Sequence, residues 1–157
     1  MKKWIIVLIL FLLVLFGISA KVYLKATEPV NQAETKALAI AQKKIHLSEI
    51  DDFHLYHGNE TIYVIEGKNN KGEKVIVWIP EKSREIIVRK AKNGLTKEEA
   101  IQQLLKKRNP QKIIATRLGM EKNIPYWEIY YLSGDHLINY YCIDFDTGEM
   151  LKRIENL

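Results

Sequence analysis

Side chains with catalytic potential are few in this chain of 157 residues. The sequence Asp146-Thr147-Gly148 is the tripeptide of aspartic proteases. That chemistry needs two carboxylates about 3 Å apart that share a proton, yet an internal repeat of the chain puts Lys82 at the position equivalent to Asp146. A turn explains the tripeptide better, because Asp accepts local backbone hydrogen bonds and Gly takes a left-handed conformation.

The histidines are not spaced for a metal site or a catalytic relay. His54 and His57 lie in a predicted strand, where a spacing of three points their side chains to opposite faces. Ser133, Asp135 and His136 share one predicted hairpin tip and are too close in sequence to orient a nucleophile. We therefore expect surface histidines, with no catalytic residue, no cofactor and no metal.

The single cysteine, Cys142, excludes an internal disulfide bond. The residues on either side of it alternate as in a strand, which indicates a buried, inert thiol and not a nucleophile. The sequence also lacks a nucleophile elbow, a phosphate-binding Gly-rich loop and a zinc-spaced cluster. We expect a protein that is not an enzyme.

Aromatic side chains are the more informative group. Alternation along a strand puts Tyr126 and Tyr130 on one face and Trp127 and Tyr131 on the other. One pair should pack beneath a helix, while the other faces solvent, the sister repeat or a partner. Tyr and Trp are enriched at interfaces because they bury a large area at a small entropic cost. An inter-repeat core and a partner surface both remain open, and the candidate partner surface consists of Tyr126, Tyr130, Tyr140, Asn69, Asn70 and Gly72.

The elements that position these residues form two copies of one unit. Residues 62–87 align with residues 126–151, so that Ile65 falls on Ile129 and Ser83 on Thr147. Each copy begins with a helix, and Thr96 with Glu99 predicts a capping box at the second one. The first helix is predicted to open at Pro29. Strands are predicted at residues 52–57, 60–67, 74–80, 85–90, 112–119, 125–132, 137–145 and 149–155.

The predicted fold is α+β: an N-terminal membrane helix followed by two units, each with one helix on an antiparallel sheet. The predicted domains are a membrane segment at residues 1–25 and two repeat units at residues 26–92 and 93–157. Units of about 60 residues have marginal cores, so we expect the two to pack against each other.

Charge is concentrated around an apolar segment. Residues 4–20 carry no charge, and Lys2, Lys3, Lys21 and Lys25 flank them. The rest of the chain has 20 basic and 19 acidic residues, which excludes a nucleic-acid binder. Seventeen helical residues span about 25 Å, so residues 4–20 predict a retained signal-anchor that crosses the membrane once. A cleaved signal peptide is the alternative. The N-terminal lysines favour residues 26–157 on the extracytoplasmic side.

A family resemblance follows from these elements. The helix opening Thr96-Lys-Glu-Glu-Ala and the closing segment Ile143-Asp-Phe-Asp-Thr-Gly-Glu-Met-Leu resemble the PepSY domain, whose signature ends in an Asp-x-x-Thr-Gly-Glu turn. One anchor with two such units resembles the TseB/YpmB-like family of cell-wall elongation regulators. The first unit departs from the signature, with Glu81-Lys-Ser-Arg-Glu where the turn should be.

This resemblance implies cystatin-like units and a partner that is a class B penicillin-binding protein anchored in the membrane. We therefore expect an extracytoplasmic, non-enzymatic protein that binds and regulates such a partner. A PepSY-type peptidase inhibitor or chaperone, or a binder of wall polymer, remains an alternative.

Overall fold

The structure is a computed structural model that describes residues 2–82, 85–134 and 136–157. Ser83, Arg84 and Asp135, which entered the repeat alignment and the relay argument, lie outside the described residues. The elements are α1 Lys2–Ile45, β1 Leu47–His57, β2 Thr61–Asn69, β3 Lys74–Pro80, β4 Ile87–Lys90, a 3-10 turn Ala91–Asn93, α2 Lys97–Leu105, β5 Lys112–Glu121, β6 Ile124–Leu132, β7 Ile138–Asp144 and β8 Met150–Ile154.

Helix α1 corrects the prediction of a separate helix that opens at Pro29. It is one helix of 44 residues with Pro29 in its interior. Pro29 cannot donate to the carbonyl of Lys25, which costs one helical hydrogen bond. Residues 21–45 contain neither a glycine nor a second proline, so this single loss does not end the helix.

The N-terminal part of α1 is apolar on every side. Its described large apolar side chains, from Trp4 to Leu24, are all at least 43% exposed within the protein. A helix that is apolar all round is typical of a core or a membrane span. Among the described residues, α1 is long and apolar enough to cross a membrane, a property that signal sequences share.

Residues 37–157 form one compact unit, which contains the sheets of both repeats, whereas residues 26–36 of the first predicted repeat unit fall outside it. The strands make two four-stranded antiparallel sheets, the first in the order β1-β2-β3-β4 and the second in the order β5-β6-β7-β8. The two repeats have the same strand register. Ile65 pairs with Val77, and the residues equivalent to them in the second repeat, Ile129 and Tyr141, also pair. Both the α+β class and the two antiparallel sheets are as predicted.

Both faces of the first sheet are buried. One face carries the buried residues Tyr63, Ile65, Val77 and Ile79, and Ala37 and Ala41 of α1 are also fully covered. The opposite face belongs to a core shared by both repeats, which includes Ile62, Val64, Ile76 and Trp78 of the first sheet and Ala100, Leu104, Leu118, Trp127, Ile129, Tyr141 and Phe145 of the second repeat.

The second helix begins as predicted. The hydroxyl of Thr96 accepts a hydrogen bond from the backbone N–H of Glu99, whose carboxylate accepts from the backbone N–H of Thr96 at 2.8 Å. Ala100 and Leu104 on the inner side of α2 are fully buried. The indole N–H of Trp127 donates to the carbonyl of Leu95 at 2.7 Å, which holds β6 against the start of this helix.

Strands β1 and β5, each an edge of its sheet, contact each other. The His54 ring binds the carbonyl of Leu118 through Nε2 at 3.2 Å. Edge strands present unpaired backbone groups that promote unwanted pairing. Here each repeat protects the first strand of the other.

Candidate functional site

A pair of stacked tyrosines marks the face of the second sheet opposite to Trp127 and Ile129. Tyr130 on β6 lies directly across from Tyr140 on β7. Their ring centroids are 5.0 Å apart with an interplanar angle of 10°. Both side chains are half-buried. A stack that keeps part of its area in solvent has the chemistry of an interface anchor.

Charged side chains border this stack, and we call the whole set the tyrosine face: Tyr130, Tyr140, Arg117, Glu128, Lys152 and Ile154. Arg117 on β5 pairs with Glu128 on β6, with 2.8 Å between Nε and Oε1. The Arg117 side chain is 46% exposed and that of Glu128 only 12%. The guanidinium therefore lies where a partner can reach it, while its carboxylate is enclosed.

A chain of hydrogen bonds connects the tyrosine face to the first repeat. The hydroxyl of Tyr56 on β1 donates to Glu128 at 2.8 Å. Because that proton is committed to a carboxylate, which only accepts, the hydroxyl of Tyr126 donates to Tyr56, also at 2.8 Å. The two rings meet edge to face at 5.7 Å. Tyr56 thus joins the two repeats, and both tyrosines of this link are buried.

This network keeps its phenols protonated. Burial raises the pKa of Tyr126 to about 12. Burial also raises the pKa of Tyr56 far above its ordinary value, and the hydrogen bonds to Tyr126 and Glu128 add to the shift. The enclosed phenols therefore act as fixed hydrogen-bond partners.

Tyr126 does not occupy the exposed position expected of a partner surface. It is only 5% exposed and belongs to the core shared by the repeats. Alternation correctly put Tyr126 on the same face as Tyr130, but the ring of Tyr56 covers that end of the face. The inter-repeat core, which the sequence left open as an alternative, describes Tyr126; Tyr130 and Tyr140 keep the candidate role.

The hairpin turn after β2, which carries three residues of the candidate partner surface, is stabilised by its own side-chain hydrogen bonds. The Asn69 side chain accepts hydrogen bonds from the backbone N–H groups of Lys71 and Glu73 at 2.9 and 3.0 Å. Gly72 has a φ of +73°, a left-handed conformation that glycine adopts without strain. Asn70 and Gly72 are exposed, so these two remain candidates for contact, whereas Asn69 supports the turn.

The Asp-Thr-Gly tripeptide lies in a turn, as predicted, with Gly148 at a φ of +74°. The capping side chain, however, is Asp144 and not Asp146. Asp144 Oδ1 accepts from the backbone N–H groups of Asp146 and Thr147 at 2.8 and 2.7 Å. The Asp146 carboxylate instead binds Nε of Arg89 in the first repeat at 2.9 Å. The tripeptide therefore belongs to a capped turn, and its Asp146 carboxylate ties the two repeats together.

Cys142 is buried and free, as predicted. Burial, together with the nearby charge of Glu128, raises the pKa of its thiol to about 12. His46, His57 and His136 are exposed, which agrees with the expected surface histidines. His54 is half-buried and lies with Asp52 and Glu66 in a group close enough to share a metal ion, an arrangement that the spacing of the histidines did not reveal.

Comparison with known proteins begins with two matched segments. Residues 36–80 match the domain described as "Cell wall elongation regulator TseB-like domain". Residues 94–154 match the PepSY domain, described as "Peptidase propeptide and YPEB domain". The chain is 31% identical over 147 residues to "Probable cell wall elongation regulator TseB" of Bacillus subtilis strain 168, covering 93% of this chain and 91% of the relative. The chain belongs to the TseB family.

A solved structure agrees with the assignment to the TseB family. The YpmB protein from Bacillus subtilis is 30% identical and superimposes with a TM-score of 0.73, covering 77% of this chain and 95% of the solved one. The first repeat matches the TseB-like domain, and the second repeat matches the PepSY domain. This division agrees with the sequence, where the second copy carries the PepSY signature and the first departs from it.

Proposed function

We propose that this protein is a membrane-anchored regulator of cell-wall elongation that works by binding a membrane partner and not by catalysis. The observation that carries the proposal is the 31% identity, over nearly the whole chain, to a relative named as a probable cell wall elongation regulator. The partner we propose is a class B penicillin-binding protein.

Three features support a binding role in place of a catalytic one. Asp146 is paired with Arg89, and the Asp-Thr-Gly segment is a capped turn. The Cys142 thiol is enclosed, with a pKa raised to about 12. Arg117 and the tyrosine stack, by contrast, keep exposed surface, as an interface requires.

Anchoring is supported by the uniformly apolar N-terminal part of α1. Such a helix is stable in hydrocarbon because its backbone polar groups are all paired within the segment. We place the repeats on the extracytoplasmic side, where the synthesis machinery of the wall operates. A partner anchored in the same membrane would meet them there.

We propose that the partner binds the tyrosine face. Its centre is aromatic, and Arg117 and Lys152 at its border are 46% and 54% exposed in their side chains. An aromatic centre with a polar border is the usual form of an interface hot spot. Asn70 and Gly72, in the turn after β2, are a second and separate candidate contact.

The test is photo-crosslinking in intact cells that express the full-length protein. A photoreactive phenylalanine replaces Tyr130, Tyr140 or Asn70 in turn, and crosslinked products are identified by mass spectrometry. Lys97, which is exposed at the start of α2, is the matched control position. We expect the two tyrosine positions to capture a penicillin-binding protein and position 97 to capture none.

Other outcomes decide between the alternatives. The PepSY description includes peptidase propeptides, so capture of a peptidase at the same positions would replace our proposal by an inhibitor or chaperone. If no probe gave a product above background while the protein stayed abundant in the membrane fraction, the partner-binding proposal would fail. Saturable binding to peptidoglycan fragments would then support a polymer binder.

A further inference from the structure

Three side chains of metal-ligand type converge on one face of the first sheet. Asp52 and His54 lie two residues apart on β1, so their side chains share a face. Glu66 on β2 is the register partner of Asp52. The ligand atoms of the three side chains all lie within 4.8 Å of one another.

The orientation of His54 is fixed from outside the cluster. Its Nε2 lies 3.2 Å from the carbonyl oxygen of Leu118 on β5. A carbonyl only accepts, so Nε2 carries the proton, and in the neutral ring Nδ1 presents its lone pair. Nδ1 lies 3.5 Å from Oδ2 of Asp52. Metal-binding histidines commonly donate their other ring N–H to a backbone carbonyl in this way.

Within the described part of the chain, His54 is the group that lies within ion-pair distance of these carboxylates, with Nδ1 at 3.5 Å from Asp52. Like charges directly across a strand pair destabilise a sheet, and Asp52 faces Glu66. Among the described residues, no Lys or Arg forms an ion pair with either carboxylate. Lys68 forms its ion pair with Glu49. Lys74 attracts Glu66 electrostatically but forms no ion pair with it. Glu66 is half-buried, where an unpaired charge is costly.

We propose that Asp52, His54 and Glu66 bind one divalent transition-metal ion, with Zn²⁺ as the best fit. In the tetrahedral geometry of Zn²⁺, ligand atoms at about 2.0–2.2 Å from the ion lie about 3.4 Å apart. The ligand atoms here are within 4.8 Å of one another, so side-chain rotations must bring them closer by up to about 1.4 Å. The Asp52 side chain is 63% exposed and has room for them. Two carboxylates and one neutral imidazole carry two negative charges, which the ion neutralises.

The donor set also determines which ions are disfavoured. Ca²⁺ and Mg²⁺ prefer all-oxygen ligands, whereas imidazole suits Zn²⁺ and its transition-metal neighbours. Three protein ligands leave a fourth tetrahedral position for water or for a group of a partner. All three ligands belong to the first repeat, whereas the Leu118 carbonyl that orients the His54 ring belongs to the second. Both repeats would therefore contribute to the metal site.

The test is a Zn²⁺ competition titration with a chromophoric chelator, on the full-length protein in detergent micelles after removal of metals. We expect one Zn²⁺ per chain, not displaced by an excess of Ca²⁺. Asp52→Asn and Glu66→Gln keep the shape of each side chain and should weaken binding at least about 10-fold, as should His54→Ala. Bound Zn²⁺ should raise the Tm of the wild type and leave the Tm of these variants unchanged.

His57→Ala is the matched control, because His57 is an exposed histidine on the same strand whose side chain points to the other face. Its Zn²⁺ affinity should equal that of the wild type. Equal losses in His57→Ala and His54→Ala would show adventitious surface binding and overturn the proposal. Absence of Zn²⁺ binding by the wild type would also overturn it and would favour a protonated His54 that bridges the two carboxylates.

Discussion

The ring of Tyr56 lies over Gly119, in the space that a side chain at position 119 would occupy. A Cβ at Gly119 would come within 2.8 Å of the Tyr56 ring and 2.9 Å of the Tyr126 ring. In the aligned registers, Tyr56 pairs with Ile62 and Gly119 pairs with Tyr126. Gly119 is therefore the residue of the second repeat that is equivalent to Tyr56.

Gly119→Ala should destabilise the protein by about 1–3 kcal/mol, because two buried rings must shift to accept the methyl group. Denaturant unfolding of the full-length protein in micelles would measure the loss. Gly134→Ala is the control, since no atom lies within 4 Å of a Cβ at that position. Equal stability of the two variants would mean that the rings can move apart without cost.

Tyr56→Phe should cost about 1–3 kcal/mol of unfolding free energy, because it removes the acceptor of the buried Tyr126 hydroxyl. It also removes one of the two donors to the enclosed Glu128 carboxylate and leaves Arg117 as the other. Tyr130→Phe should change stability by less than about 0.5 kcal/mol. A double-mutant cycle of Tyr56→Phe with Glu128→Gln would measure the coupling directly. Additive effects would contradict the network.

Stability should fall as the pH rises from about 9 towards 12. The pKa of Cys142 and that of Tyr126 are each raised to about 12 in the folded state, above the ordinary values near 8.5 and 10. In this range the folded state holds more protons than the unfolded state, so the free energy of unfolding decreases with pH. Urea unfolding at pH 7, 9 and 10.5 would test this, and Tyr126→Phe should reduce the slope.

The two aspartates of the β7–β8 turn, Asp144 and Asp146, should contribute differently to the free energy of unfolding. Asp144→Ala removes an acceptor shared by two backbone N–H groups and should cost about 1–2 kcal/mol, comparable to the loss of a helix cap. Asp146→Ala removes an exposed ion pair with Arg89 and should cost at most about 1 kcal/mol. Thermal unfolding of both variants would test the order, and a larger loss for Asp146→Ala would assign it the capping role.

Local signals were sufficient for most of the fold. The alternation of apolar residues located seven of the eight strands closely, and Thr96 with Glu99 located the start of α2. Strand β1 begins at Leu47, ahead of the predicted residue 52, because exposed polar residues at its start hide the alternation. The continuity of α1 through Pro29 was missed, because proline is equally suited to a first helical turn.

The candidate site was harder to predict because it depends on contacts between strands. Nothing near Tyr126 in the sequence shows that Tyr56, from the other repeat, covers it. The cluster of Asp52, His54 and Glu66 was missed because the histidines were compared with each other and not across the hairpin. The antiparallel register could have been counted outward along both strands from the turn that joins His57 to Thr61. That count places Glu66 opposite Asp52, so the sequence does contain a signal for the cluster.

The pairing of Tyr56 with Gly119 also limits how the repeats can assemble. If two copies of the first repeat packed in this manner, a second tyrosine would stand where the ring must lie. If two copies of the second repeat packed in this manner, Gly119 would face a second glycine, and the space that the Tyr56 ring fills would be left as a cavity. The junction therefore accepts only the unlike pair, so the halves of this duplicated chain are no longer interchangeable, and the covalent link between them guarantees that each meets the one partner that fits.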